Sequence, residues 1–162
     1  MGFADDQIAT ATEGGRPLSA PVEFGIMVDD GEEITIIMHA RPIGKPRQTQ
    51  RDKWAKRPAV LRYRDWADKL RSIARNLPQP EQITDLSWTA YFEPPKSWPK
   101  RKRFEAIGTI HRQKPDRDNI DKAVLDALFE RDEAIGVGTL KKYWGIEDGL
   151  TVTISYTGEN EP

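Results

Sequence analysis

Three stretches of the chain alternate apolar and polar residues with a period near two, the pattern of a strand that buries one face. They are the β-branched run Ile34-Thr35-Ile36-Ile37-Met38, the segment Leu86-Ser87-Trp88-Thr89-Ala90-Tyr91-Phe92, and Thr151-Val152-Thr153-Ile154-Ser155-Tyr156. Pro42 and Pro94-Pro95 close the first two. Shorter candidates are Ile26-Met27-Val28, residues 107–111, and Lys141-Lys142-Tyr143-Trp144, with Gly149 near the turn that follows. From Ala59 the period changes: Leu61, Trp66, Leu70, Ile73, Ala74 and Leu77 recur at helical spacing and stop before Pro78. Trp66 and Leu70 are expected in the core. The bases Arg62, Arg64, Lys69, Arg71 and Arg75 lie on the opposite side, either as a solvated face or as a contact for a partner. A second helix is predicted after Pro115, with Ile120, Ala123, Val124 and Ala127 on one face and Asp118, Lys122 and Asp126 on the other. Asp126 stands one turn beyond Lys122 and is expected to pair with it. These elements predict an α/β (α+β) single domain, a mixed β-sheet with two main helices packed on it. Residues 31–158 form that domain, and residues 1–30, poor in large apolar groups, read as a flexible or loosely packed extension onto which Ile26-Met27-Val28 can still dock as a strand.

A length of 162 residues suits one domain with a full core and is short for two. The chain has no cysteine, so disulfides and thiolate metal sites are excluded, and two histidines, His39 and His111, are too few for a His-rich zinc centre. No apolar run approaches a membrane span, and an early Asp5-Asp6 pair is unlike a secretory signal, so a cytoplasmic protein is expected.

The net charge of −1 conceals a segregation along the chain. Residues 1–38 hold one basic residue against eight acids, whereas residues 41–114 hold nineteen Lys and Arg against seven acids. The last stretch, 115–162, holds five bases and eleven acids. A basic segment of this size is either a solvated surface or an electrostatic footprint for a polyanion, whose condensed counterions are released as phosphates are neutralised. Its densest block, Lys96-Ser97-Trp98-Pro99-Lys100-Arg101-Lys102-Arg103, mixes bases with an aromatic ring. Trp98 serves either as a staple onto the core or as a surface on which a base can stack. Gly44-Lys45-Pro46-Arg47-Gln48-Thr49-Gln50-Arg51 has little to bury and reads as an exposed loop whose bases are free for phosphate.

Acidic chemistry concentrates where the basic segment ends. Asp116 and Asp118 stand two residues apart at the mouth of the second helix, able to point oxygen ligands at one hard cation such as Mg2+. Lys122, one turn on, is placed to offset charge developing on a phosphate. The same residues admit a structural explanation, since Asp118 or Asn119 can cap a helix and Pro115 marks a turn.

The run Lys114-Pro115-Asp116-Arg117-Asp118-Asn119-Ile120-Asp121-Lys122-Ala123-Val124-Leu125-Asp126-Ala127-Leu128 resembles the signature of the RusA-type Holliday-junction resolvases, K-P-D-x-D-N-x-x-K-x-x-x-D-A-L, at every fixed position. Gly44-Lys45-Pro46-Arg47 is similar to a second family segment, and Asp132 to its third acid. Two residues depart from the pattern around that acid: Arg131 stands where the family has a second carboxylate, and Ala134 where it has glutamine. Glu130 or Glu133 can share the duty of Asp132. The resemblance implies a homodimeric endodeoxyribonuclease of bacterial or phage origin that cuts two symmetry-related strands of a four-way DNA junction. Asp116, Asp118 and Asp132 would hold Mg2+, with Mn2+ as a substitute, and Lys122 would complete the catalytic set. Lys45, Arg47, Lys100, Arg101, Lys102, Arg103 and Lys114 are the candidate DNA contacts, by charge and expected exposure. Asn119 is expected to orient a carboxylate or cap the helix. Two other functions stay open: a junction-binding protein with weakened catalysis, and a nuclease acting on flaps, forks or RNA.

Overall fold

The computed structural model describes residues 16–17, 24–47, 49–53 and 57–158. Most of the proposed N-terminal extension, residues 1–15 and 18–23, lies outside the described residues. Among the described residues six strands form one mixed sheet: β1 (Arg16–Pro17), β2 (Gly25–Asp29), β3 (Glu33–Met38), β4 (Ile83–Phe92), β5 (Thr139–Trp144) and β6 (Gly149–Tyr156). Their spatial order is β1-β2-β3-β6-β4-β5. Every neighbouring pair is antiparallel except β4 with β5.

Alternation in the three central strands converges on one face. Ile34, Ile36 and Met38 of β3 stand opposite Ile154, Val152 and Leu150 of β6. On the other side of β6, the same three residues face Leu86, Trp88 and Ala90 of β4. All nine are buried. These rows across three strands make the floor of the core, where each buried aliphatic side chain contributes roughly 1.5–3 kcal/mol relative to an exposed one.

Two helices cover that floor. Helix α1 (Pro58–Ile73) starts with proline in its first turn, where a missing N–H costs nothing, and buries Val60, Tyr63, Trp66, Ala67, Leu70 and Ile73. Leu61, expected on the apolar face, is instead 43% exposed; it lies one residue after Val60, about 100° around the helix. Ala74 and Leu77 follow the end of the helix and pack on the core from the connecting segment. Between them Asn76 adopts a φ of 52°, a conformation asparagine tolerates better than most residues. The acidic motif opens α3 (Arg117–Leu128), which buries Ile120, Ala123, Val124 and Ala127 as its spacing predicts.

One sequence expectation needs correction, and two segments left open gain an element. The basic block, to which the sequence pattern assigned no element, forms a short helix, α2 (Lys100–Ala106), with Pro99 as its N-cap. Residues 107–111 do not make a full strand, because Gly108 takes a φ of 84°. Only Ile110 forms a bridge there, with Tyr143, although the backbone of residues 108–111 still hydrogen-bonds along β5. Finally, Ile26-Met27-Val28 does dock as a strand, and Ile26 and Met27 of β2 are buried. Gly25 permits that docking: a Cβ there would lie 2.0 Å from the Ile37 carbonyl oxygen and 2.7 Å from Ile73 Cδ1. Among the described residues, no helix is long and apolar enough to cross a membrane.

Candidate active site

Residues 113–118 form the turn that enters α3, and a residue far along the chain secures it. The Lys142 ammonium, projecting from β5, donates to the carbonyl oxygens of Gln113 (2.7 Å) and Pro115 (2.6 Å). Burial lowers the Lys142 pKa, and the nearby Asp116 charge acts in the opposite direction. The strand that carries Lys142 also accepts the His111 backbone N–H at its carbonyl, 3.0 Å away. Turn and sheet edge are therefore joined twice within a few residues.

Asp116 is the N-cap residue of α3, yet its side chain makes no capping hydrogen bond. Its backbone carbonyl accepts the Ile120 N–H at 3.1 Å, leaving the carboxylate outside the helix. Lys114 stands 3.6 Å from that carboxylate. Asp118 lies in the first turn, exposed, where the positive end of the helix dipole favours an anion. Among the described residues no side chain pairs with Asp118 or with the exposed Lys122. Asn119 is half-buried, and its carbonyl accepts from Lys45, so its main-chain contribution is to hold a loop. Asp121 has a structural duty, accepting the indole N–H of buried Trp88 at 3.1 Å.

The Gly44-Lys45-Pro46-Arg47 segment lies directly on this turn. The Lys45 N–H donates to the Asn119 carbonyl at 3.0 Å. A Cβ on Gly44 would approach Pro115 Cβ to 3.1 Å and Asn119 Cβ to 3.2 Å, so a side chain there would make the two motifs give by a few tenths of an ångström. The Lys45 ammonium forms an ion pair with Asp126. This overturns two expectations: Asp126 pairs with Lys45 and not with Lys122, and Lys45 is half-buried and engaged where a free loop cation was expected. The i,i+4 spacing offered Asp126 one partner, but the loop supplies another that can be held at both ends. Lys45 has its pKa raised, first by its hydrogen bond to Asp126 and last by the charge of Asp132, which places that third acid within electrostatic reach. Arg47 is exposed, and its backbone carbonyl accepts from Arg57 at 2.7 Å. Gln48 lies outside the described residues.

Asp132 opens a short 3-10 turn, Asp132–Ala134, and is half-buried, whereas Glu130 and Glu133 are exposed. Arg131, in the position of the departing residue, forms an ion pair with Glu81. Among the described residues, no three carboxylate or imidazole side chains are gathered closely enough to hold one metal ion. Asp116 and Asp118 are thus displayed at the mouth of α3, Asp132 follows the other end of that helix, and among the described residues the three form no closed ligand set.

The basic block is more engaged than its sequence suggests. Arg101 pairs with Glu105 (2.9 Å) and Arg103 with Glu93 (3.3 Å). The Lys102 ammonium sits 4.0 Å above the Trp98 ring. Lys100 is exposed and has no partner among the described residues. Trp98 is half-buried against Trp144, with 5.1 Å between ring centroids, which favours the staple over the stacking surface. Trp144 meets the edge of His111 (4.3 Å), which in turn stacks on Phe92 (4.0 Å). Burial, then the charges of Lys142 and Arg41, push the His111 pKa down to about 4. Lys142 and His111 escaped the sequence reading. The only signal was for Lys142: in a strand, Lys141 and Lys142 must face opposite sides, so one of the two had to turn inward.

No curated protein and no solved structure matches this chain. The family described as Endodeoxyribonuclease RusA matches residues 39–155. That span runs from the end of β3 through nearly all of β6 and includes each candidate catalytic and DNA-contact residue named above. With two acids at the mouth of α3 and its Gly-Lys-Pro-Arg segment seated against Pro115 and Asn119 of the same motif, the chain belongs to the RusA endodeoxyribonuclease family.

Proposed function

We propose that this protein is a metal-dependent, structure-specific endodeoxyribonuclease that resolves four-way DNA junctions as a homodimer. The observation that carries the reading is the display at the start of α3: two exposed carboxylates, the first without a capping bond, and an exposed lysine that pairs with no side chain among the described residues. The donors suit a hard divalent cation such as Mg2+ or Mn2+, being carboxylate oxygens with no sulfur or imidazole among them. Asp116 and Asp118 would hold it, with Asp132 as the third acid, and the bound cation would polarise the phosphate and ease deprotonation of water.

The chain's own groups have distinct tasks in the reaction. A water oxygen bonds to phosphorus, the bond from phosphorus to the 3′ oxygen breaks, and the departing oxygen takes up a proton. Lys122 offsets the charge that accumulates on the phosphate oxygens. Lys142 keeps the turn bearing Asp116 in place without meeting DNA. Lys100, Arg101, Lys102, Arg103, Lys114 and Arg47 supply positive charge along the arms. A twofold dimer matches a substrate with two equivalent strands to cut, and a cytoplasmic location fits that substrate.

Labelled four-way junctions, forks, flaps, linear duplex, single strands and RNA, each incubated with Mg2+, Mn2+ or EDTA, test this reading. Paired symmetric nicks in the junction, dependent on metal, are expected. Cleavage in EDTA, or equal cutting of linear duplex, would refute it. The absence of a closed three-acid set among the described residues and the diversion of Arg131 to Glu81 favour one second reading, a junction-binding protein with weakened catalysis. Tight junction binding without cleavage in either metal would select it.

A further inference from the structure

Lys45 and Asp126 lie in separate motifs, and their contact joins the loop after β3 to the far end of α3's polar face. We propose that Lys45 is a second phosphate-facing cation of the active site and that Asp126 is the residue that positions it. This rests on the nuclease reading above.

The lysine is fixed at both ends. Its backbone N–H is tied to the Asn119 carbonyl at 3.0 Å, and its ammonium is held by the Asp126 carboxylate. Seven residues separate Asn119 from Asp126, about 10 Å of helix, so the side chain runs along α3 beside the face that bears Lys122. The adjoining glycine sets the approach of the loop, for a Cβ on Gly44 would press on both Pro115 and Asn119. The Asp126 end is braced as well: Arg71 from α1 donates to the Ala127 carbonyl at 3.0 Å.

The pair is nevertheless not sealed from solvent. The Lys45 side chain is 36% exposed and that of Asp126 26%, and Asp132 lies within electrostatic reach. A cation held in one orientation, on a loop seated against the turn that bears Asp116 and still partly open to solvent, needs little reorganisation when a phosphate arrives. That is the arrangement that favours charge developing in a transition state. Because Asp126 is committed to Lys45, Lys122 stays unpaired, and the two lysines approach the substrate from different elements.

The test compares Lys45→Ala, Asp126→Asn, Asp126→Glu and the Lys45→Ala/Asp126→Asn double variant of the full chain. Single-turnover cleavage of a labelled four-way junction is measured at saturating protein, with junction affinity in EDTA and thermal melting in parallel. Lys45→Ala and Asp126→Asn should each slow cleavage on the order of 100-fold, with affinity changed by about 3-fold or less, as when a single phosphate is left without its cation. The double variant should be no slower than Lys45→Ala, and Asp126→Glu should recover most of the rate. Unchanged rates, losses that multiply in the double variant, or an Asp126→Asn loss that Asp126→Glu does not recover would each overturn the inference. If the wild-type chain binds junctions but cuts none, the nuclease reading fails, and the pair is judged by affinity. Asp126→Asn must then weaken junction binding as much as Lys45→Ala does, and unchanged affinity in either overturns the inference.

Discussion

Asp118 occupies a position that a helix would accept for purely local reasons, an acid in the first turn beside unpaired N–H groups. What separates it from an ordinary helix-start acid is the company it keeps: an uncapped Asp116 before it and an unpaired Lys122 after it. Asp118→Asn should abolish metal-dependent cleavage while junction affinity stays within about 3-fold, because a ligand charge is removed and the basic surface is not. Wild-type rates in that variant would remove Asp118 from the metal set. His111 makes a different prediction, about stability. Its imidazole takes a proton near pH 6.5 when unfolded and at about 4 when folded. Between these values the unfolded chain binds more protons, so stability falls as pH drops through that window and is unaffected by this group above it. His111→Phe keeps an aromatic ring against Phe92 and Trp144 but cannot titrate. Urea titrations should therefore show the wild type losing stability relative to His111→Phe from about pH 6.5 to about 4; parallel curves would contradict the burial argument.

Helix α3 serves both the core and the site, and its sequence declares both. Apolar residues at 120, 123, 124 and 127 repeat at helical spacing, so the buried face and the polar face could be read from the chain alone. The partners on the polar face could not. Local spacing pointed Asp126 to Lys122, four residues away, whereas the structure pairs it with Lys45, 81 residues away. Contacts at that separation leave no periodic trace. The turn before α3 was legible as a turn, but its support was not, because Lys142 reaches it from a strand 27 residues beyond Pro115. Lys142→Met keeps an unbranched apolar stem and removes both hydrogen bonds. It should cost about 2 kcal/mol, since the part-buried Pro115 carbonyl and the exposed Gln113 carbonyl both lose a charged donor, and slow cleavage roughly 10-fold as the turn loosens. Urea midpoints and single-turnover rates measure the two effects, and full stability with a full rate would mean that the turn stands by itself.

Across the whole molecule, the strands were mostly legible and their order was not. Each central strand carries the same alternation, and nothing in residues 149–156 announces that they insert between β3 and β4. The charge segregation was legible, but the structure shows that Arg101 and Arg103 already have acidic partners. Replacing Lys100, Arg101, Lys102 and Arg103 by glutamine should weaken junction binding and reduce the slope of log K against log salt by about 0.9 for each phosphate no longer neutralised. An unchanged slope would make α2 a solvated surface and shift the DNA path toward Arg47 and the basic face of α1. The pairings of β4 with β5 and with β6 both close a connection that contains α2, α3 and the three candidate acids, but among the described residues β5 is the edge strand, paired on one side only. Closing so long a segment has an entropic cost that its own interactions must offset. Edge strand β5, with the turn that Lys142 secures, is therefore able to open while β3, β6 and β4 stay paired. Amide exchange should be faster in β5 and residues 113–118 than in β3 and β6, and junction DNA with a divalent cation should slow it there first. Uniform exchange across β3, β4, β5 and β6 would show instead that sheet and site rise and fall together.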